Sequence, residues 1–146
     1  FLGFQLGRNT EGNVSIGISK RTKQRVDLRI RELTPRNWGQ SLAKCLEETN
    51  VYMKGWIGYF RLCTEDRVLA MAKFHAHIRR RLRAIILRQK KRPRSIYRHL
   101  ISRDVAPKYA GQTAYRRVGL WRRSISHGIH RAYPNAWFAE RLMSLE

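Results

Sequence analysis

The sequence predicts a mainly α protein: an N-terminal β-hairpin, then a three-helix bundle, then short C-terminal helices. Three observations predict it. Apolar residues alternate singly over the first 18 positions and recur at three-and-four spacing from Lys20 to about Lys90. Turn and cap formers stand where the period changes, at residues 7–13, Ser19, Thr34-Pro35 and Pro93. A hydrophobic fraction of 42% with four tryptophans supplies a core, so the high charge does not signal disorder. At 146 residues the chain makes one ordinary domain or two very small ones.

Residues 1–18 read as the hairpin. Leu2, Phe4 and Leu6 alternate on one face, Val14, Ile16 and Ile18 on another, and the polar loop 7–13 joins them. A lone hairpin is marginal in water, so it should pack on the helices or on a partner sheet. Ser19 is placed to cap a first helix over Lys20–Leu33, with a stripe at Val26, Ile30 and Leu33 and an end at Thr34-Pro35. The second helix begins at about residues 38–41 and runs to 62, with Leu42, Leu46, Thr49, Met53, Trp56 and Phe60 on its apolar face. Thr64 can cap the third, with Glu65 and Asp66 at the positive end of its dipole; its seam is Val68, Met71, His75, Ile78, Leu82 and Ile85. Pro93 ends this helix, and the pieces 95–101, 112–124 and 135–146 are short and helical.

One stretch resists the plain core reading. In "NVYMKGWIGYF", Gly55 and Gly58 interrupt a helical pattern, each disfavoured by about 1 kcal/mol relative to alanine. Three residues apart, they share a face and are expected to admit a neighbouring backbone closely, with Trp56, Tyr59 and Phe60 filling the space around it.

Charge narrows the function. Lys+Arg number 31 against 10 acids, a net +21, and 23 of the 31 are arginine. Self-repulsion of that size opposes compaction and points to a polyanionic partner. Guanidinium forks pair with phosphate and stack on bases, which favours nucleic acid. All-apolar runs such as Ala84-Ile85-Ile86-Leu87 are far below the roughly 20 residues that span a bilayer. With two cysteines and no signal-peptide pattern, an intracellular, reducing setting is the expectation, and no membrane partner.

An active site is not expected, nor a metal or cofactor. The adjacent acids Glu47-Glu48 and Glu65-Asp66 point apart on helices and suit surface or capping roles. Cys45 and Cys63 stand alone, and His127 and His130 lack neighbouring ligands for zinc. His75 lies on the apolar seam and reads as a hydrogen-bonded core histidine.

What remains is a binding surface. Candidate phosphate contacts are Lys20, Arg21, Lys23, Arg25 and Arg29 on the first helix. A second group is Arg79, Arg80, Arg81 and Arg83 on the third. Lys90, Lys91, Arg92 and Arg94 follow at the corner, then Arg122 and Arg123. From residue 79 to 98 there are ten basic residues and no acid, so a plain solvated face with mixed charge is disfavoured. Tyr97, Tyr109, Tyr115 and Trp121 stand among basic residues; each could stack on an unpaired base or serve the core.

Several stretches together resemble one family. "FLGF", "RIRELTPRN", "NVYMKGWIGYF", "FHAHIRRRLR" and "WRRS" are similar to the C-terminal part of group II intron-encoded reverse transcriptase/maturase proteins. The resemblance covers essentially the whole chain and is most specific over residues 14–90. It implies three regions: 1–18 as the hairpin closing the reverse transcriptase palm, 19–91 as the maturase or thumb bundle, and 92–146 as a basic, DNA-binding region. It implies that Phe1 to Phe4 form the terminal palm strand, that Asn50, Gly55, Trp56, Tyr59 and Phe60 are a structural maturase signature, and that Ile78 to Arg83 carry its basic helix. The implied partners are group II intron RNA, during splicing, and an RNA–DNA or DNA target duplex, during reverse transcription and mobility. The polymerase Tyr-x-Asp-Asp motif and a His-Asn-His segment have no match in the sequence. Any RNA-directed DNA polymerase activity, with its Mg2+, is therefore expected in a palm outside this chain. The start at Phe-Leu-Gly-Phe rather than methionine fits a piece of something longer. By the same resemblance the compartment is bacterial cytoplasm or a eukaryotic organelle. Two rivals stay open: an enzymatic role, as part of a reverse transcriptase whose activity resides upstream, or a generic ribosomal-like or architectural binder with no maturase role.

Overall fold

The N-terminal segment forms the expected hairpin. The computed structural model describes residues 2–35, 39–63 and 66–142. Strands β1 (Phe4–Arg8) and β2 (Val14–Ile18) pair antiparallel, with Phe4 opposite Ile18, Leu6 opposite Ile16 and Arg8 opposite Val14. Residues directly opposite in such a pair point to the same side. The two apolar sets therefore share one face, where two faces were expected. Ile18 is buried and Phe4 half-buried, whereas Leu6 and Val14 towards the tip are 70% and 72% exposed. Asn9 Oδ1 closes the loop by accepting from the Glu11 and Asn13 amides at 3.1 and 2.8 Å.

Gly3 seats the hairpin on the helices. Its φ is 89°, and a Cβ there would lie 2.9 Å from Thr22 Oγ1 and 3.3 Å from the Phe60 ring. Its carbonyl accepts from the Ser19 amide at 3.0 Å and the Thr22 hydroxyl at 3.1 Å. A side chain at this position would be both strained and obstructed.

Helix α1 (Lys20–Leu33) has the expected bounds and its Ser19 cap, and buries Thr22, Val26 and Ile30. Helix α2 (Leu42–Tyr59) starts after its cap Ser41 and buries Cys45, Thr49, Met53 and Trp56. Phe60 closes it two residues short of the expected end. The expected start near Trp38 lies outside the described residues, as do Phe1, the Thr64 cap with Glu65, and the Asp66 side chain.

Helix α3 (Asp66–Lys90) is the axis of the molecule. Every residue from 81 to 87 is buried, which requires neighbours on all sides. Met71, Ile78, Leu82 and Ile85 of the expected seam are in the core, and His75 is half-buried. Val68 is not on the seam: it is 66% exposed, beside Leu69 at 58%.

At the end of α3, Lys91 takes φ 58° and Pro93 occupies the first turn of α4 (Pro93–Ile101). The proline thus starts a helix as well as excluding the previous one, since its fixed φ and missing N–H suit that position. Four short helices follow: α5 (Pro107–Ala114), α6 (Leu120–Arg123), α7 (His127–Ala132) and α8 (Asn135–Ala139). The expected piece 112–124 is therefore divided, with a turn between Ala114 and Gly119. Helix α7 was not anticipated, because "HGIHRA" is too short to display a period. One hydrophobic cluster runs from Ile18, Val26 and Ile30 through α3 to Ile129, Phe138 and Leu142.

Candidate nucleic-acid interface

The run from Arg79 to Arg83 divides according to which way each position faces. Arg81 is buried against the end of α1: its Nε donates to Thr34 Oγ1 at 2.5 Å, and Nη2 donates to the carbonyls of Thr34 at 2.7 Å and Arg31 at 3.2 Å. It thus supplies donors to the carbonyls that a helix C-terminus leaves unsatisfied, and positive charge to the negative end of the dipole. Arg83 is 3% exposed and points the other way. Its Nε and Nη2 grip the Tyr133 carbonyl at 3.1 and 2.8 Å, Nη2 reaches Asn135 Oδ1 at 3.1 Å, and the guanidinium lies 5.0 Å from the Phe138 ring centroid. Burial, with Arg79 nearby, pushes its pKa down to about 10, which leaves it charged at neutral pH. Neither guanidinium faces solvent, so the expectation that Arg81 and Arg83 contact phosphate is corrected: they join α3 to α1 and to the C-terminal helices.

Two further candidates are partly engaged. Arg80 stacks over the Trp121 ring at 3.8 Å and donates to the Trp121 carbonyl at 3.2 Å, pinning α6 to α3. Arg123 is half-buried and donates through Nη2 to the carbonyls of Arg116 at 2.6 Å and Val118 at 3.4 Å, stapling the turn before α6. Arg79 is half-buried, and burial lowers its pKa. Burial also lowers the pKa values of His75, His99 and His130, with neighbouring cations adding to it, so these histidines favour the neutral form.

The remaining candidates are at the surface. Lys20, Arg21, Arg25 and Arg29 are exposed and Lys23 half-buried on α1; Lys91, Arg92 and Arg94 are exposed at the α3–α4 corner with Lys90 half-buried; Arg122 is exposed on α6. Arg29 is paired with Glu32 at 2.7 Å, an exposed contact of little energetic weight. Arg21 and Arg25 have no carboxylate partner among the described residues. One helical turn apart, they sit about 6 Å from each other along the axis. Sequence reasoning passed over Arg116 and Arg117, both exposed. The signal was present: residues 105–139 contain no Asp or Glu.

The signature residues form a seat for the hairpin. Trp56 and Phe60 are buried with ring centroids 4.7 Å apart; Phe4 lies 5.0 Å from Phe60 and 5.5 Å from Tyr59, and Trp56 meets Phe74 edge-on at 5.3 Å. The Tyr59 hydroxyl donates to the Leu2 carbonyl at 3.1 Å. Asn50 Nδ2 donates to the Arg141 carbonyl at 2.7 Å, which ties α2 to the end of the chain.

The two glycines behave otherwise. Gly55 and Gly58 are exposed, and a Cβ at either would meet nothing within 4 Å. No described backbone approaches them, so the expected close contact is corrected. Gly55→Ala is accordingly expected to stabilise the chain by about 0.5–1 kcal/mol, through helix propensity and a less flexible unfolded state. A chemical denaturation series checks this, and a fall in the midpoint at unchanged slope would contradict it.

No helix among the described residues is long and apolar enough to cross a membrane. No curated protein matches the chain. A family model does: the group II intron, maturase-specific domain, over residues 23–103, more than half of the sequence. The matched segment holds most of α1, all of α2 and α3 with their aromatic seat, and α4. The chain therefore belongs to the group II intron maturase-specific domain family.

Proposed function

We propose that this chain binds intron RNA through the exposed basic faces of α1 and the α3–α4 corner, assisting splicing, and that the same faces grip a template–primer duplex. The carrying observation is Arg21 and Arg25: exposed, one turn apart, without a carboxylate partner among the described residues, on the helix that opens the maturase-specific segment. Each phosphate they neutralise releases counterions, which yields affinity that falls with salt. In this reading the reacting groups of splicing belong to the RNA, and the protein supplies charge at fixed positions. The buried Arg81 and Arg83 support it indirectly, because they hold α1 and the C-terminal helices on α3 and so fix where the exposed cations stand.

The double variant Arg21→Ala/Arg25→Ala tests it. Binding to folded intron RNA is expected to weaken about tenfold at moderate salt, and the slope of log K against log salt to shrink by about two. An unchanged slope, or full support of splicing by the double variant, would sink the reading. Equal affinity for folded intron RNA and a generic duplex would point instead to a general basic binder.

A further inference from the structure

The C-terminal helices enclose a feature that lies outside the matched family segment. An open groove of about 690 Å³ runs between α5 and α7, lined by Gln112, Tyr115, Arg116, Ile125, Ser126 and His127 among others. That volume is in the range of small-ligand sites, roughly 300–1,000 Å³. Its chemistry is one-sided: between residues 105 and 139 the chain has six Lys and Arg and no acid. An anion is the complementary guest.

The lining is more specific than charge alone. Of the four aromatics that could stack on bases, three are half-buried. Tyr109 is half-buried against His127 and Arg131, Trp121 lies under Arg80, and Tyr97 packs on the core. Tyr115 meets Tyr97 with 6.2 Å between ring centroids and is still 57% exposed, beside Ile125 at 54%, so the groove offers an aromatic face and an apolar neighbour to solvent. Gln112 is exposed and its amide has no hydrogen-bond partner among the described residues, so both its donor and its acceptor are available. Arg116 is exposed on the same rim. His127 Nε2 accepts from Arg131 Nε at 2.8 Å, so the proton of the ring lies on Nδ1, a donor.

The walls are also held in place before any ligand arrives. Arg123 staples the carbonyls of Arg116 and Val118, Ser126 Oγ donates to Thr113 Oγ1 at 3.0 Å, and α5 and α7 meet closely at Gly128. Little backbone ordering then opposes binding, and the entropy lost is that of the exposed Gln112, Tyr115 and Arg116 side chains.

We propose that this groove receives one unpaired nucleotide: the base stacks on Tyr115, its edge meets the Gln112 amide, and its phosphate meets Arg116. A base within a duplex has both faces covered and its pairing edge occupied, so the site selects single strands, loops or bulges. The proposal relies on the maturase reading only in taking nucleic acid as the partner; its residues are separate from the α1 face.

The whole chain is titrated with a labelled unstructured 12-nucleotide RNA, the same sequence as DNA, and a blunt 12-base-pair RNA duplex, by fluorescence anisotropy at one salt concentration. Tyr115→Ala is expected to weaken single-strand binding about tenfold and to leave duplex binding within twofold, while Tyr115→Phe retains both. Gln112→Ala is expected to reduce the spread of affinities among four homopolymer strands. A loss on both RNA and DNA strands assigns base and phosphate as the ligand, and a loss on one alone identifies the strand that is bound. Unchanged single-strand affinity in Tyr115→Ala, or an equal loss on the duplex, overturns the proposal. The Arg21→Ala/Arg25→Ala variant is run alongside: normal duplex binding by that variant with loss in Tyr115→Ala would leave the groove standing and the α1 reading refuted.

Discussion

Arg83→Ala is expected to unfold the chain at a temperature about 10 °C below the parent, for a loss of about 3 kcal/mol. Truncation removes two charge-assisted bonds to the Tyr133 carbonyl and one to Asn135 Oδ1. It leaves that carbonyl unsatisfied in a site where Arg83 was 3% exposed, and a void beside Phe138, which is fully buried. Arg83→Met fills the void without restoring the bonds, and it also relieves the desolvation of a charge that has no carboxylate among the bonds it makes. Its loss is expected to be about half as large. The decisive comparison is with the salt dependence of RNA binding. At a temperature where both variants are folded, the slope should equal that of the parent, in contrast to the α1 double variant. A normal melting temperature with a slope reduced by about one would make Arg83 a phosphate contact after all.

The arginine run shows where sequence reading reached its limit. A helix turns by 100° per residue, so Arg80, Arg81 and Arg83 point in three directions whatever their shared charge. On a peripheral helix most of them would reach water. On α3 none of residues 81 to 87 does, because α1 and α2 cover one side and the C-terminal helices the rest. That centrality is a tertiary fact with no local signature. The elements themselves were legible for local reasons: Ser19 caps, Val26 and Ile30 repeat at helical spacing, and the hairpin alternates. The same limit governed the aromatics. Composition placed four of them among basic residues, and only packing separates the exposed Tyr115 from Trp121, which Arg80 covers.

Glycine gives the sharpest contrast between pattern and packing. Gly55 and Gly58 stood out because they interrupt a helical period, yet both face open space. Gly128 drew no notice in a short segment without a period, and it is where two helices meet. A Cβ built there would lie 2.5 Å from Thr113 Oγ1 and 2.6 Å from the Tyr109 carbonyl oxygen. Neither neighbour can yield readily. The carbonyl is part of the α5 backbone, and Thr113 is 1% exposed with its hydroxyl bonded to Ser126. Gly128→Ala must therefore push α7 away from α5. Overpacking of this kind is expected to destabilise by about 2–3 kcal/mol, offset by at most about 1 kcal/mol from the better helix propensity of alanine. One substitution type then has opposite signs at two positions: alanine raises the melting temperature at Gly55 and lowers it at Gly128. Because the groove lies between the same two helices, Gly128→Ala should also weaken single-strand binding under conditions where the protein remains folded, with duplex binding retained. A melting temperature at or above that of the parent would mean that α5 and α7 are not in the close contact described.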